Sequence, residues 1–428
     1  MTDEKKYTST LAPDGQLAPG GKISPDQNLD EIFAALMHTY SVSDSESALA
    51  DSVEAFLRAC AHLQVHRYGD TVVAATHFYD GTSHTNTSHT SAPRVILAGH
   101  IDVVPVIENF PPRILSAGDG TIRPDVAERY PHSDVMWGRG ATDMKASDAA
   151  FLYLARELDS AEKTRVDITY VFYDHEEVQA EKNGLGKVVA AHPDWVAADF
   201  AIIGEPTNTL IEGGCNGTMR FDVLTHGVAA HSARAWMGRN AIHAAADVLR
   251  TLAEYEPATI RVNGLEYREG LNATMISGGE GTNIIPQECR VHVNYRFAPD
   301  KTIHEAKALL MGEECARVSG VGVGPVRADG GLFAGYDIDM KDESAGARPG
   351  LDSPLVDSLV ARVRERSGQE PTAKFGWTDV ARFSELGIPA VNLGAGDPLL
   401  AHKADEQVAL QELHEYTDLL CGWLSENR

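Results

Sequence analysis

Short apolar runs that lead into acidic residues or histidine most strongly constrain the fold of this chain. They occupy residues 95–98, 166–173, 198–203 and 388–393, and segments with helical spacing of apolar residues separate them. Continuous apolar runs are typical of parallel strands buried on both faces of an α/β sheet. The polar residues that follow these runs are His100, Glu176, Glu177, Glu205 and His402. Since open α/β sheets place their sites beyond the carboxyl ends of strands, the sequence predicts one shared site.

A different periodicity in the middle of the chain predicts a second, inserted domain. Strands expected at 219–225, 272–277, 290–297 and 337–342, with helices at 240–255 and 302–318, follow the order βαββαβ of the ferredoxin-like fold. With 428 residues the chain also exceeds the usual size of one hydrophobic core. We therefore predict a mostly parallel α/β domain in two parts, 1–215 and 346–428, and an insert at 216–345. Residues 1–28 are expected to form a loosely ordered arm.

Charge and cysteine usage restrict the partners of the protein. Acidic residues outnumber basic ones 62 to 37, and the net charge of −25 disfavours binding to nucleic acid or to an anionic membrane. No stretch reaches the roughly 18 apolar residues of a membrane span, and the N-terminal region lacks the apolar core of a signal peptide. The five cysteines are widely spaced and form no C-x-x-C pair. This usage disfavours a disulfide framework and a thiolate zinc site, and it predicts a reducing, cytoplasmic location.

The polar residues at the strand ends have the chemistry of a metal site. His100 and Asp102 are two apart and share one face of an extended chain, so the carboxylate can hold one ring nitrogen while the other binds a metal. Carboxylates crowded at 174–177 repel one another unless a cation or protons compensate them. A turn histidine at 100 and a helix N-cap at Asp143 are the ordinary alternatives for single residues. His100, Glu176, Glu177, Glu205 and His402 all follow the ends of strands, and this shared position favours the metal site.

The candidate set suits two zinc ions. It contains two histidines, His100 and His402, and three carboxylates, Asp143, Glu177 and Glu205. One histidine and one terminal carboxylate for each ion, with Asp143 as the bridge, would complete the site. Glu176, beside a ligand but not itself bound, would take a proton from the metal-bound water and pass it to the leaving nitrogen.

Five motifs in order resemble those of the dinuclear zinc aminoacylase and carboxypeptidase family. They are residues 99–105, 138–145, 175–177, 204–207 and the late His402, and the resemblance covers about residues 30 to 428. It implies a zinc-hydrolase catalytic domain with an inserted dimerisation domain, and two Zn²⁺ per chain, for which Co²⁺ or Mn²⁺ are candidate substitutes. Ala146 and Ser147 depart from the paired glycines common in the family, which concerns helix packing and leaves the ligands intact.

The same resemblance implies individual roles. It places His100 and Glu205 on one zinc, Glu177 and His402 on the other, and Asp143 between them. It makes Asp102 the residue that orients His100 and Glu176 the general base. The substrate it implies is a small N-acyl amino acid. The alternatives are an acetylornithine deacetylase, an aminoacylase or a metallo-dipeptidase of the family, and, from a different class, a metal-bound binding protein that has lost catalysis.

The inserted domain resembles the dimerisation domain of that family. Residues 227–233 match a segment whose histidine, here His231, reaches across the dimer in the family to stabilise an oxyanion; Ala235 stands where many members have proline. Asn283 and Arg296 resemble substrate-binding positions, and a guanidinium suits a carboxylate because it bonds both oxygens. A turn histidine and structural roles for the other two are the alternatives. We expect a homodimer.

Motifs at 173–186, 375–383 and 401–406 resemble one deacylase branch of the family. That likeness implies that Gly376, Thr378 and Asp379 line the site of a substrate carboxylate.

Overall fold

A computed structural model describes residues 23–77 and 92–425 of the chain. Most of the arm predicted at 1–28 lies outside the described residues. In the described part of the chain, no helix combines the length and the apolar character needed to cross a bilayer. The five cysteines all lie within the described residues, and all five are unpaired.

The helices and strands alternate along much of the chain. The strands are β1 (Leu63–Tyr68), β2 (Thr71–Thr76), β3 (Arg94–His100), β4 (Arg113–Leu115), β5 (Val135–Trp137), β6 (Asp167–Tyr173), β7 (Phe200–Ile203), β8 (Glu212–Gly213), β9 (Gly217–His226), β10 (Ala230–His231), β11 (Thr259–Val262), β12 (Leu265–Arg268), β13 (Gly270–Gly278), β14 (Ile284–Ile285), β15 (Glu288–Phe297), β16 (Val326–Arg327), β17 (Asp337–Ser344), β18 (Thr372–Ala373), β19 (Ala390–Asn392) and β20 (Gln407–Ala409). The helices are α1 (Leu29–His38), α2 (Ser47–Ala59), α3 (Pro124–Arg129), α4 (Ala146–Glu157), α5 (Gly184–Ala191), α6 (Ala241–Ala253), α7 (Ile303–Met311), α8 (Glu313–Val318), α9 (Pro354–Ser367), α10 (Val380–Glu385) and α11 (Leu410–Ser425).

The chain forms two compact units. Unit 1 holds the described residues up to 212, those at 350–371 and those from 382 onward, and unit 2 holds 213–349 and 372–381. The predicted insert at 216–345 lies within the longer segment of unit 2. The short segment 372–381, which belongs to unit 2, carries Gly376, Thr378 and Asp379.

Six strands of unit 1 lie side by side in the order β1-β2-β6-β3-β7-β19. The four from β6 to β19 are parallel, whereas β1 and β2 run antiparallel to their neighbours. Every residue of β3 and β6 is buried, as expected for central parallel strands covered on both faces. The predicted mostly parallel α/β fold is confirmed.

The strand register brings the predicted site residues to one edge. His100 at the end of β3 pairs with Tyr173 at the end of β6, and Ala98 pairs with Ile203 at the end of β7. The residues that follow these three strands therefore emerge together. Helices α1, α2, α4, α9 and α11 contribute their apolar faces to the core of unit 1, which includes Phe33, Phe151 and Trp423.

Unit 2 contains the predicted ferredoxin-like arrangement. Its strands lie in the order β13-β15-β9-β17-β16 with antiparallel pairing, and β9, α6, β13, β15, α7 and β17 follow one another as βαββαβ. The prediction of a single helix at 302–318 is wrong in one respect, because the structure has two helices there, α7 and α8. Gly312 separates them at φ 89°, a left-handed conformation that glycine adopts without a steric penalty.

Candidate metal centre

The end of β3 fixes the first predicted ligand. His100 is buried, with its Nδ1 3.0 Å from the backbone oxygen of Asp102 and its Nε2 3.1 Å from Oδ1 of Asp143. Gly99 before it is required by close packing, because a Cβ there would lie 2.2 Å from Oδ1 of Asp148 on α4. The strand end and the start of α4 are thus in direct contact beneath the site.

Asp143 lies between the two predicted histidine ligands. Its Oδ1 faces His100, and its Oδ2 is 3.3 Å from Nε2 of His402. The same His402 nitrogen is 3.0 Å from Oε1 of Glu177. Ligand atoms of His100, Asp143 and Glu177 all lie within 4.8 Å of one another. The structure therefore brings together four of the five predicted ligands, with one carboxylate between two imidazoles.

Glu205 is the fifth predicted ligand, and it is buried. It follows β7, the strand beside β3, and so emerges at the same edge of the sheet. Among the described residues, it does not belong to the group whose ligand atoms lie within 4.8 Å of one another.

The donor set fits a divalent cation. The Nδ1 hydrogen of a neutral His100 ring would be donated to the Asp102 carbonyl, which leaves the Nε2 lone pair facing a carboxylate oxygen. Two acceptors 3.1 Å apart repel each other unless a proton or a cation lies between them. Imidazole nitrogen and carboxylate oxygen are ordinary ligands of Zn²⁺ and related metals. This geometry therefore favours a positive charge between Nε2 of His100 and Oδ1 of Asp143.

The pKa directions of the histidines lead to the same conclusion. Burial disfavours a charged His100 ring, but the Asp102 and Asp143 carboxylates outweigh it and raise its pKa well above the ordinary value. Hydrogen bonds to Asp143 and Glu177 raise the pKa of His402 to about 10. In the absence of a metal, protons on these two rings compensate the carboxylates, and a metal ion would displace them.

The two carboxylates between the histidines differ in their pKa directions. Burial opposes ionisation of Asp143, but the hydrogen bonds from His100 and His402 outweigh it and lower the pKa of Asp143. Burial and the neighbouring Asp143 charge raise the pKa of Glu177. Asp143 is thus the more strongly favoured anion, which suits a bridging position.

The Asp102 carboxylate has different partners from those expected. The N–H at Nδ1 of His100 donates to the backbone oxygen of Asp102, whereas the carboxylate Oδ1 of Asp102 is 3.6 Å from that nitrogen. The carboxylate instead accepts the backbone N–H groups of Glu176 at 2.9 Å and Glu177 at 3.1 Å, and the hydroxyl of Ser43 at 2.7 Å. Asp102 thus holds both the His100 ring and the turn that carries the next two carboxylates.

Two buried residues near these ligands were missed in the sequence. Arg139 and Glu406 form an ion pair at 2.8 Å, with side chains only 2% and 0% exposed. Burial raises the pKa of Glu406 to about 7. Both residues lie inside the motifs at 138–145 and 401–406. A charged residue among ligands needs a partner, and this requirement is the signal in the sequence that could have identified them.

The remaining predicted site residues belong to unit 2. His231 is exposed, and its Nδ1 accepts the N–H of Ala233 at 3.0 Å. Asn283 is its neighbour, because the Asn283 backbone oxygen accepts the N–H of Ser232 at 2.9 Å. Arg296 on β15 is half-buried, and burial, with Arg220 nearby, lowers its pKa.

The segment 372–381 of unit 2 holds the other three predicted substrate-binding residues. Thr378 and Asp379 are buried, whereas Gly376 is exposed and has open space around its Cα. The Cys215 thiol donates to the backbone oxygen of Thr378 at 3.6 Å, which ties this segment to the start of the longer one. The roles of all these residues stay predictions.

Comparison with known proteins assigns the family. The sequence profile of peptidase family M20/M25/M40 matches residues 96–426, and the chain belongs to this family. A Mycobacterium tuberculosis relative, provisionally named as the succinyl-diaminopimelate desuccinylase DapE, is 42% identical over 92% of this chain and 97% of its own. The succinyl-diaminopimelate desuccinylase of Corynebacterium glutamicum is 38% identical over 96% of this chain and 99% of its own.

A solved structure shows a similar fold. The Bacillus subtilis YXEP protein, described as a dinuclear metal-binding peptidase of family M20, superposes with a TM-score of 0.61 at 15% identity. The match covers 93% of this chain and 96% of that one. It supports the fold described above.

Proposed function

We propose that the protein is a two-zinc hydrolase that cleaves N-succinyl-LL-2,6-diaminopimelate into succinate and LL-diaminopimelate. This reaction belongs to the synthesis of lysine and of a cell-wall precursor. The observation that carries the hydrolase class is the buried Asp143 carboxylate between the His100 and His402 rings. The substrate rests on the two relatives that bear the desuccinylase name and match nearly the full chain.

The metals would be held by residues of unit 1. His100 and Glu205 would hold one ion, Glu177 and His402 the other, and Asp143 both. Nitrogen and oxygen donors favour zinc, with Co²⁺ or Mn²⁺ as candidate substitutes. Bound there, such a pair would lower the pKa of the attacking water and polarise the carbonyl oxygen of the amide.

Proton transfer is assigned to Glu176. Its carboxylate would take the proton of the attacking water and deliver it to the leaving nitrogen, so that the amide becomes a carboxylate and an amine. The backbone N–H of Glu176 donates to the Asp102 carboxylate, which fixes the main chain from which the Glu176 side chain extends. Glu176 itself is half-buried, as a group that exchanges protons with a substrate requires.

Substrate binding is assigned to unit 2. His231 would stabilise the oxyanion, while Asn283, Arg296, Gly376, Thr378 and Asp379 would bind the carboxylates and amide of the substrate. The guanidinium of Arg296 can bond both oxygens of a carboxylate. Its half-burial strengthens such a bond, because less water competes for the charge.

A homodimer through unit 2 is part of the proposal. Within residues 23–77 and 92–425, strand β13 is an edge of its sheet and pairs with β15 alone, and it exposes Met275 (64%) and Ile276 (53%). Helix α6 exposes Ile242 and Leu249, which are seven apart and so share one face. Unpaired edges and apolar faces of this kind are ready-made surfaces for a second chain. The cytoplasm is the proposed location, since all five cysteines are unpaired.

A turnover panel tests the substrate. The purified protein with zinc present is offered succinyl-diaminopimelate, N-acetylornithine and a dipeptide, and the released amine is measured. We expect succinyl-diaminopimelate to have the highest kcat/KM. Faster cleavage of N-acetylornithine or of the dipeptide would reassign the substrate. Tight binding with no hydrolysis of any of them would indicate a binding protein instead.

A further inference from the structure

The buried ion pair of Arg139 and Glu406 joins two chain segments that are far apart in sequence. Its members are 267 residues apart, and the pair lies beside two predicted ligands, Asp143 and His402. A buried ion pair stabilises a protein only when its remaining donors and acceptors are also satisfied. Among the described residues the Arg139 Nε–H has no hydrogen-bond partner, whereas both terminal nitrogens of Arg139 and both oxygens of Glu406 are bonded, and their partners indicate what the pair holds in place.

Glu406 holds the segment of the bridging carboxylate. While Oε2 pairs with Arg139, Oε1 accepts the backbone N–H groups of Thr142 at 2.9 Å and Asp143 at 3.0 Å. Hydrogen bonds to an ionised acceptor are about twice as strong as neutral ones. The backbone that carries the Asp143 side chain is thereby fixed to the 402–406 loop.

Arg139 holds the segment of the terminal histidine ligand. Its guanidinium donates to the backbone oxygens of His402 at 3.3 Å and Lys403 at 3.4 Å. His402 has φ 66°, a left-handed conformation that a non-glycine residue keeps only when its surroundings maintain it. Asn109 supports the same loop, because its side-chain amide donates to the Lys403 oxygen at 3.2 Å and its backbone oxygen accepts the N–H of Arg139 at 2.9 Å.

We propose that Arg139 and Glu406 are positioning residues for the second metal position, the one that His402 and Glu177 would serve. The pair sets the distance between the Asp143 backbone and the His402 backbone. The His100 ring, in contrast, is oriented by the carbonyl of Asp102, which follows β3. Loss of the pair therefore weakens the second position more than the first. This inference rests on the proposed two-metal function.

Zinc titration of the metal-free full-length protein tests the proposal, with a chromophoric chelator as competitor. We expect the unmodified protein to bind two ions. In Arg139→Met, one position should bind at least about tenfold more weakly, as is usual when an outer hydrogen-bond partner is lost, while the affinity of the other should fall less. With Co²⁺ as the probe, the visible absorption of the second equivalent should change more than that of the first.

A matched control is available in the same loop. Arg123 forms an ion pair with Asp405 at 2.7 Å, but both side chains are partly exposed, and in the described part of the chain neither forms a hydrogen bond to the backbone of a proposed ligand. Arg123→Met should leave both zinc affinities unchanged. Because Arg139→Met leaves Glu406 buried without its partner, the isosteric Glu406→Gln is the second variant, and it should show the same selective weakening.

Three outcomes contradict the proposal. Folded variants that bind both ions as tightly as the unmodified protein would remove the positioning role. Equal weakening at both positions would show a general structural role. Fewer than two ions in the unmodified protein would overturn the proposed function itself, so the two failures are distinguishable.

Discussion

The backbone N–H of Glu176, the proposed general base, donates to the Asp102 carboxylate. The substitution Glu176→Gln removes the base and keeps the size of the side chain. We expect turnover of succinyl-diaminopimelate to fall about 10²- to 10⁴-fold, while two zinc ions per chain are retained by metal analysis. Full activity in this variant would exclude Glu176 as the general base. Loss of zinc would assign it to the ligands instead.

Asp102 makes a second prediction at the scale of one residue. Its carboxylate accepts two backbone N–H groups, and an amide has only one acceptor oxygen, so Asp102→Asn must lose one of these bonds. We expect zinc affinity to fall about 10- to 100-fold and kcat to fall with it, measured by chelator competition and steady-state kinetics.

Ser43→Ala is the control for Asp102. It removes only the hydroxyl donor to the same carboxylate and leaves both backbone bonds in place. Its effect on zinc affinity should be smaller. An Asp102→Asn protein with unchanged metal binding and rate would restrict Asp102 to a structural role.

Strand β3 and helix α4 meet at Gly99, directly before His100. A Cβ on Gly99 would lie 2.2 Å from Oδ1 of Asp148 and 2.8 Å from Cε of Met144, both of which are buried. Gly99→Ala should therefore separate the strand end from the helix, at a cost of about 1–3 kcal/mol in the free energy of unfolding, and weaken zinc binding.

Denaturant unfolding and zinc titration measure both effects of Gly99→Ala. Gly120→Ala is the control, because a Cβ there meets no atom within 4 Å. If Gly99→Ala were as stable as the unmodified protein, the packing between the end of β3 and α4 would not be tight enough to position His100.

At the scale of the whole molecule, the proposed dimer can be tested with a substitution at an exposed position outside the core. Met275→Glu places a charge on the exposed edge strand β13. We expect light scattering to show a dimer for the unmodified protein and a shift toward monomer for this variant, because the charge would be buried in the contact. Val323→Glu, at an equally exposed position outside β13 and α6, should stay dimeric. A monomeric unmodified protein would refute the proposed dimer.

The pH dependence of stability also belongs to the whole molecule. The pKa of His402 is raised to about 10 in the folded, metal-free protein, against about 6.5 in an unfolded chain. Its ion pairs with Asp143 and Glu177 therefore stabilise the fold fully below about pH 6.5, and this stabilisation is lost as the pH rises through about 10. The Tm of the metal-free protein should fall across this window.

His402→Ala is the control for that pH dependence. Without the ring, the decline in Tm between the two pH values should be shallower. Equal slopes in the two proteins would show that other groups cause the decline. Zinc should remove most of the decline in the unmodified protein, since the metal replaces the protons.

Much of this protein is determined by local sequence patterns. The apolar runs define the strands β3, β6 and β7, and the parallel arrangement brings the residues after them to one edge. The βαββαβ order of unit 2 follows from its periodicity in the same way. The chemistry of His100, Asp143, Glu177 and His402 limits the site to a few functions, because imidazole and carboxylate together favour a metal ion.

Only the tertiary structure decided which distant groups meet. It gave the Asp102 carboxylate the backbone of Glu176 and Glu177 as partners, in addition to its place beside the His100 ring. It also paired Arg139 with Glu406 across 267 residues. Periodicity and strand ends are local properties that a sequence displays directly. The partner of a buried charge depends on how remote segments pack, and no local pattern contains that information.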